Sequence, residues 1–269
     1  MQTCILHVSD LHVGARKSHD DLAAGAGIAA LAERVEAELV VATGDVTHLG
    51  RRRQHEAAAR FLRNLGRPLL VVPGNHDIPF TIPGRFTHTW RNFEREWRTT
   101  EPVYSSQAIH AVGLNSVRPW RHQSGGMRAG QLARARTRMH DAPAGSLRVV
   151  ALHHQLVGAP WRTRKRPVAR RNRVLAALVE SGAELILGGH IHQHAVCERH
   201  EFEAVGVEAR GVVISVAPGF ARPRPNRRGE ARGVVVYRAD DRNLQAEAYF
   251  WLGDAWEPTA MRTFPRVRR

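Results

Sequence analysis

Leu69-Leu-Val-Val-Pro-Gly-Asn-His-Asp-Ile-Pro79 is a short apolar run that breaks at Pro73-Gly74 and delivers Asn75, His76 and Asp77. A run of this length, bounded by Gly and Pro, suits a strand buried on both faces, and the turn after such a strand is where open α/β sheets bind ligands. Other runs end the same way. Thr3–Val8 leads into Asp10-Leu-His12, and Leu39–Ala42 into Gly44-Asp45. Leu147–Leu152 leads into His153-His154, and Glu184–Leu187 into Gly188-Gly-His-Ile-His192.

Between the first three runs, His19–Leu39 and Arg53–Leu65 carry helical spacing, so the N-terminal third reads β-α-β-α-β with parallel strands and right-handed crossovers. Ile78–Pro102 interrupts the pattern with Trp90, Phe93 and Trp97. It reads either as a cap inserted beside the strand ends or as an ordinary surface helix with its aromatic face in the core. Gly130–His140 and Val168–Val179 are further helices. After His194, the segments Glu201–Arg210, Gly211–Ala217, Gly233–Arg238 and Leu244–Trp251 read as consecutive strands of an antiparallel second sheet, followed by a basic tail over 253–269. The expectation is an α/β protein, one domain over residues 1–269.

The 269 residues are long enough for a full core, and no apolar segment approaches the roughly 20 residues of a membrane span. No secretory signal pattern opens the chain, which leads us to expect a cytoplasmic protein. Two cysteines, Cys4 and Cys197, supply neither a disulfide framework nor a thiolate site. The net charge of +15 comes almost wholly from arginine, since lysine occurs only at Lys17 and Lys165. Such a charge is either compositional or a sign of a polyanionic partner such as nucleic acid. Arg51–Arg53, Arg162–Arg173 and Arg222–Arg232 are its dense clusters. Oligomeric state is not legible.

Asp10, His12, Asp45, Asn75, His153, His190 and His192 all follow strand ends, and parallel strands would bring those ends to one rim. Imidazoles and carboxylates converging without cations leave charge and lone pairs uncompensated, and metal ions resolve that conflict. A nitrogen and oxygen donor set without thiolate suits Mn, Fe, Zn or Co, and its size exceeds one ion's needs. Two such ions acidify bound water and clamp a phosphoryl oxygen, which is the chemistry of phosphoester hydrolysis. Asp45 is the natural bridge, with one carboxylate oxygen for each cation. His76 sits next to Asn75 and can face the leaving oxygen.

Asp10-x-His12, Gly44-Asp45, Gly74-Asn75-His76-Asp77, His153 and Gly189-His190-x-His192, in this order, resemble the calcineurin-like metallophosphoesterase family over about residues 3–220. The resemblance implies a two-sheet β-sandwich flanked by helices. It also implies Asp10, His12 and His192 on one metal, Asp45 bridging, and Asn75, His153 and His190 on the other. His76 would contact the phosphate and assist the leaving group, with Asp77 orienting it. Where many protein phosphatases of the family carry Asp-Arg, this chain has His48-Leu49. That departure turns the expectation towards small phosphodiesters such as cyclic nucleotides or glycerophosphodiesters, resembling compact bacterial members, with His48 as a candidate substrate contact. A nuclease of the same family, a phosphomonoesterase and a non-catalytic scaffold are the alternatives. Thr87–Trp97, Trp120–Gly126 and the arginine-rich loops are the expected specificity segments.

Overall fold

The protein is described by a computed structural model over residues 2–15, 19–121, 123–161, 163–200, 211–221 and 232–266. Two six-stranded sheets stack face to face. In the first, β1 (Thr3–Val8), β2 (Leu39–Ala42) and β3 (Leu69–Val71) run parallel, joined by α1 (His19–Arg34) and α2 (Arg52–Arg63). Then come α3 (Gly84–Thr87), α4 (Arg91–Trp97), β4 (Val103–Ser105) and β5 (Ile109–Gly113). After them follow α5 (Ala129–His140), β6 (Leu147–Ala151), α6 (Arg171–Glu180), β7 (Leu185–Gly188), β8 (Ala195–His200) and β9 (Gly211–Val216). The chain closes with β10 (Gly233–Ala239), β11 (Asn243–Trp251) and β12 (Trp256–Pro265).

Side-chain alternation with period two builds three apolar layers. On the first sheet Leu6, Val40 and Val71 face the helices, while Ile5, Val41 and Leu70 face the second sheet. Val149, Ala151, Leu185 and Leu187 answer from across the interface, and Val150 and Ile186 turn outward to α5 and α6. The helices meet the sheets through stripes at helical spacing: Ala24, Ile28, Leu31 and Ala32 on α1, and Ala58 and Leu62 on α2. A two-sheet sandwich flanked by helices results, as the family resemblance implied.

The C-terminal strands depart from expectation. The second sheet, ordered β4-β5-β6-β7-β9-β8, is parallel through β5, β6, β7 and β9, with antiparallel edges. β10, β11 and β12 do not join it; they extend the first sheet antiparallel from β1, with Ile5 opposite Tyr237. Residues 256–265 are therefore an edge strand and not a tail, anchored by buried Trp256 and Phe264. The expected strand at 201–210, and residues 222–231 of the third arginine cluster, lie outside the described residues. Of the two readings of 78–102, α4 follows the surface-helix one: Phe93 is buried, and Arg63 stacks on Trp97 while pairing with Glu96. The stretch before it, with exposed Phe80, Ile82 and Phe86, borders the rim of the strand ends.

Candidate metal centre

The strand ends are tied together before any side chain is considered. Beyond β1 and β2 the pairing continues, with Asp10 N donating to Gly44 O at 3.0 Å and His12 N to Asp45 O at 2.8 Å. The two sheets are stitched at the same rim by Phe220 N on Ser9 O and His190 N on Asp10 Oδ2, an oxygen that also accepts from Ser9 Oγ within the β1 loop. The backbone is bent sharply here: Asp10, His12, Asp45, His190 and His192 all hold φ between 43° and 74°. For non-glycine residues this left-handed region costs free energy and concentrates where a site demands it. Gly74 lies so close to Asp45 that a Cβ would overlap the Asp45 amide and carboxylate. A glycine is needed there for close approach.

Two clusters follow. In one, Asp10 Oδ1 lies 2.9 Å from His192 Nε2, which is 3.3 Å from His12 Nε2. In the other, His153 Nε2 faces three acceptors: Asn75 Oδ1 at 3.1 Å, His190 Nδ1 at 3.1 Å and Asp45 Oδ2 at 3.4 Å. His190 Nε2 donates to Gln123 O, so its Nδ1 carries a lone pair, and His153 Nδ1 donates to Thr43 O at 2.7 Å. A single proton at His153 Nε2 cannot satisfy three converging acceptors, whereas a cation can. The carboxylates, Asn75 and the imidazoles therefore fit divalent ions, and the outward nitrogens of His153 and His190 are braced by backbone carbonyls as metal-binding histidines are.

Asp45 joins the clusters by one atom. Oδ2 lies 3.4 Å from His153 Nε2 and 3.9 Å from His12 Nε2, while Oδ1 accepts the His76 amide at 2.8 Å. The expected division of one oxygen per cation is thus replaced by one oxygen facing both groups. Burial alone would raise the Asp45 and Asp10 carboxyls, but surrounding imidazoles, His153 and His192 foremost, hold both well below the usual carboxylate range. Burial drives the His12 imidazole well below its usual value. For His153 burial acts the same way, yet Asp45 overrides it and lifts the group to about 9, so a proton competes for the position a cation would take.

His76 is half-buried, edge-on to His12 at 4.8 Å between centroids and stacked on His48 at 5.6 Å. Its Nδ1 bonds to the His48 carbonyl at 2.8 Å, leaving Nε2 for the site. Asp77 does not orient it, contrary to expectation. The Asp77 carboxylate points away and accepts from Val46 N, Thr47 N, Thr47 Oγ1 and Gly74 N, clamping the β2 and β3 loops together. His154 bonds Ser116 through Nδ1 and belongs with His153 and His190 to one of the donor groups, whereas His194 bonds Val216 O. Sequence reading missed Arg85 and Lys165. Lys165 donates to the His190 carbonyl, and Arg85 lies buried beside His76. A loop arginine gives no local sign of burial, and the rarity of lysine was the one visible signal for Lys165.

The mixed two-sheet sandwich carries, at the ends of its strands, buried groups of His and Asp donors that could hold divalent metal ions, with Asn75 beside them. The chain belongs to the calcineurin-like phosphoesterase family, whose family model matches residues 4–194. No curated protein sequence matches it. Among solved structures it is similar to the purple acid phosphatase PPD1 of yellow lupin (TM-score 0.72, 13% identity), covering 99% of this chain and 54% of the lupin protein. This chain thus spans about half the length of that relative. It is also similar to a dimetal phosphatase of Danio rerio (TM-score 0.63, 13% identity, 98% of each chain). GAP50, described as the anchor in the inner membrane complex of Plasmodium, shares the fold too (TM-score 0.69, 10% identity, 100% of this chain and 90% of that one). At these identities the likeness speaks to fold alone.

Proposed function

We propose that this chain is a binuclear metal-dependent phosphodiesterase acting on small phosphodiesters, with cyclic nucleotides and glycerophosphodiesters as the substrate class. The observation that carries the hydrolytic reading is the convergence of three acceptors on His153 Nε2, with Asp45 Oδ2 shared towards His12. Asp10, His12 and His192 would hold one ion and Asn75, His153 and His190 the other, with Asp45 Oδ2 between them. Divalent ions there, of Mn, Fe, Zn or Co, supply an acidified water and polarise a phosphoryl oxygen.

The rest falls to the chain. His76, steadied by the His48 carbonyl and the ring of His48, presents Nε2 where it can donate to the leaving oxygen. The diester reading is supported by His48-Leu49 in place of Asp-Arg and by the space beside His76. Leu49, Ile78 and Phe80 wall that space and give a second ester substituent somewhere to lie, which a monoester does not need. The test is turnover of bis-p-nitrophenyl phosphate against p-nitrophenyl phosphate by Mn-reconstituted protein. The reading predicts a diester preference in kcat/KM; a monoester preference would make the protein a phosphatase.

A further inference from the structure

Arg85 is 3% exposed, yet no carboxylate pairs with it among the described residues. Its Nε donates to Pro119 O at 2.6 Å and its Nη1 to Pro79 O at 3.3 Å, which fix the guanidinium plane. Nη2 has no partner. Burial lowers the affinity of this guanidinium for its proton, and no acidic neighbour acts against that effect. A buried arginine braced only by neutral carbonyls is expensive unless an anion meets its open edge.

That arginine lines a cavity of about 90 Å³ together with His48, Asn75, His76, Phe80 and Gln123, and no Asp or Glu lines it. At ~30 Å³ per water the space takes about three waters, the size of a phosphate or carboxylate group. We infer that this cavity is an anion subsite in which Arg85 Nη2 receives an anionic oxygen group of the substrate. The inference rests on the phosphoesterase reading of the neighbouring centre and narrows its substrate class. Asn75 is the one proposed metal ligand in the lining, so the cavity suits a group displaced from the scissile phosphorus, on the side His76 faces. Esters carrying a second phosphate or carboxylate are then preferred.

The subsite is tested by calorimetric titration of EDTA-treated, full-length protein with inorganic phosphate, which reads the pocket without catalysis. Wild type binds, and Arg85→Gln weakens binding at least tenfold, with Arg85→Lys recovering part of the loss. Since Arg85 also braces two loops, Phe80→Glu provides a second variant: Phe80 is 62% exposed, and a carboxylate there would neutralise Arg85 and repel phosphate. Absent binding in wild type, or unchanged binding in both Arg85→Gln and Phe80→Glu, overturns the inference.

A kinetic arm separates the sources of the anion, using the p-nitrophenyl ester of thymidine 5′-phosphate with and without a 3′-phosphate. If Arg85→Gln raises KM at least tenfold for the bisphosphate alone, the group is a second anion. If both substrates suffer equally, it is the scissile phosphoryl; if neither does, the inference falls. Arg85-dependent phosphate binding without turnover of any ester would sink the phosphoesterase reading while sparing the subsite.

Discussion

His76 and Asp77 are adjacent but point different ways, the His76 ring towards His12 and the Asp77 carboxylate into the loops after β2 and β3. The Asp77 carboxylate is consumed by backbone amides of two loops and by Thr47 Oγ1, so its removal leaves buried donors unmet. Asp77→Ala should destabilise the fold by about 2–4 kcal/mol in urea titration. His76→Ala should leave stability within about 1 kcal/mol and lower kcat by roughly 10²–10⁴. Equal loss of stability in both variants would contradict the division. The neighbouring residues look alike in sequence because, Gly74 apart, Asp77 acts on Val46 and Thr47, about thirty positions away. Residue type marked Asn75-His76-Asp77 as a candidate site but not which side chain turns into the fold.

At the scale of elements, the rim depends on how closely the loops after β2 and β3 approach. A Cβ on Gly44, whose φ is +84°, would sit 2.5 Å from Gly74 N, and one on Gly74 would strike Asp45. Gly74→Ala should therefore cost about 1–3 kcal/mol. It should also weaken Mn binding, because Asp45 must shift; unchanged affinity by calorimetry would show that the contact does not position the ligand. The glycines flanking Asp45 and Asn75 were legible as turn signals, and the structure adds that packing requires them. The strands themselves were legible from apolar runs ending in polar groups. Sheet membership of β10–β12 was not, because it is set by β10 alone pairing with β1 across more than 200 residues, β11 and β12 following it in sequence, and no local period encodes that partner. The same non-locality hid Arg85, whose burial is set by Pro119 and Pro79 closing around it.

Across the whole molecule, the two sheets and the rim are joined by a buried polar chain. His7 of β1 contacts Thr43 Oγ1 at 2.8 Å and Tyr237 Oη at 3.2 Å, and Tyr237 donates to Ser215 Oγ on the second sheet at 2.6 Å. Burial, aided by His194, lowers the His7 imidazole to about 3. The unfolded chain therefore takes up a proton near pH 6.5 that the folded chain refuses until about pH 3. Stability from this group is complete above pH 6.5 and is lost as pH falls through that window, by up to a few kcal/mol. Urea unfolding at pH 7 and pH 5 should show a smaller drop for His7→Gln than for wild type, and an identical drop would remove His7 from the account.

The fold alone serves phosphatases and an anchor protein alike. What this chain's chemistry turns on is whether its clusters hold two ions joined through Asp45. Metal content of Mn-reconstituted protein after desalting, by plasma mass spectrometry beside Asp45→Asn, asks this directly. The account predicts two ions per chain in wild type and at most one in the variant. Two ions in both proteins, or none in wild type, would contradict it.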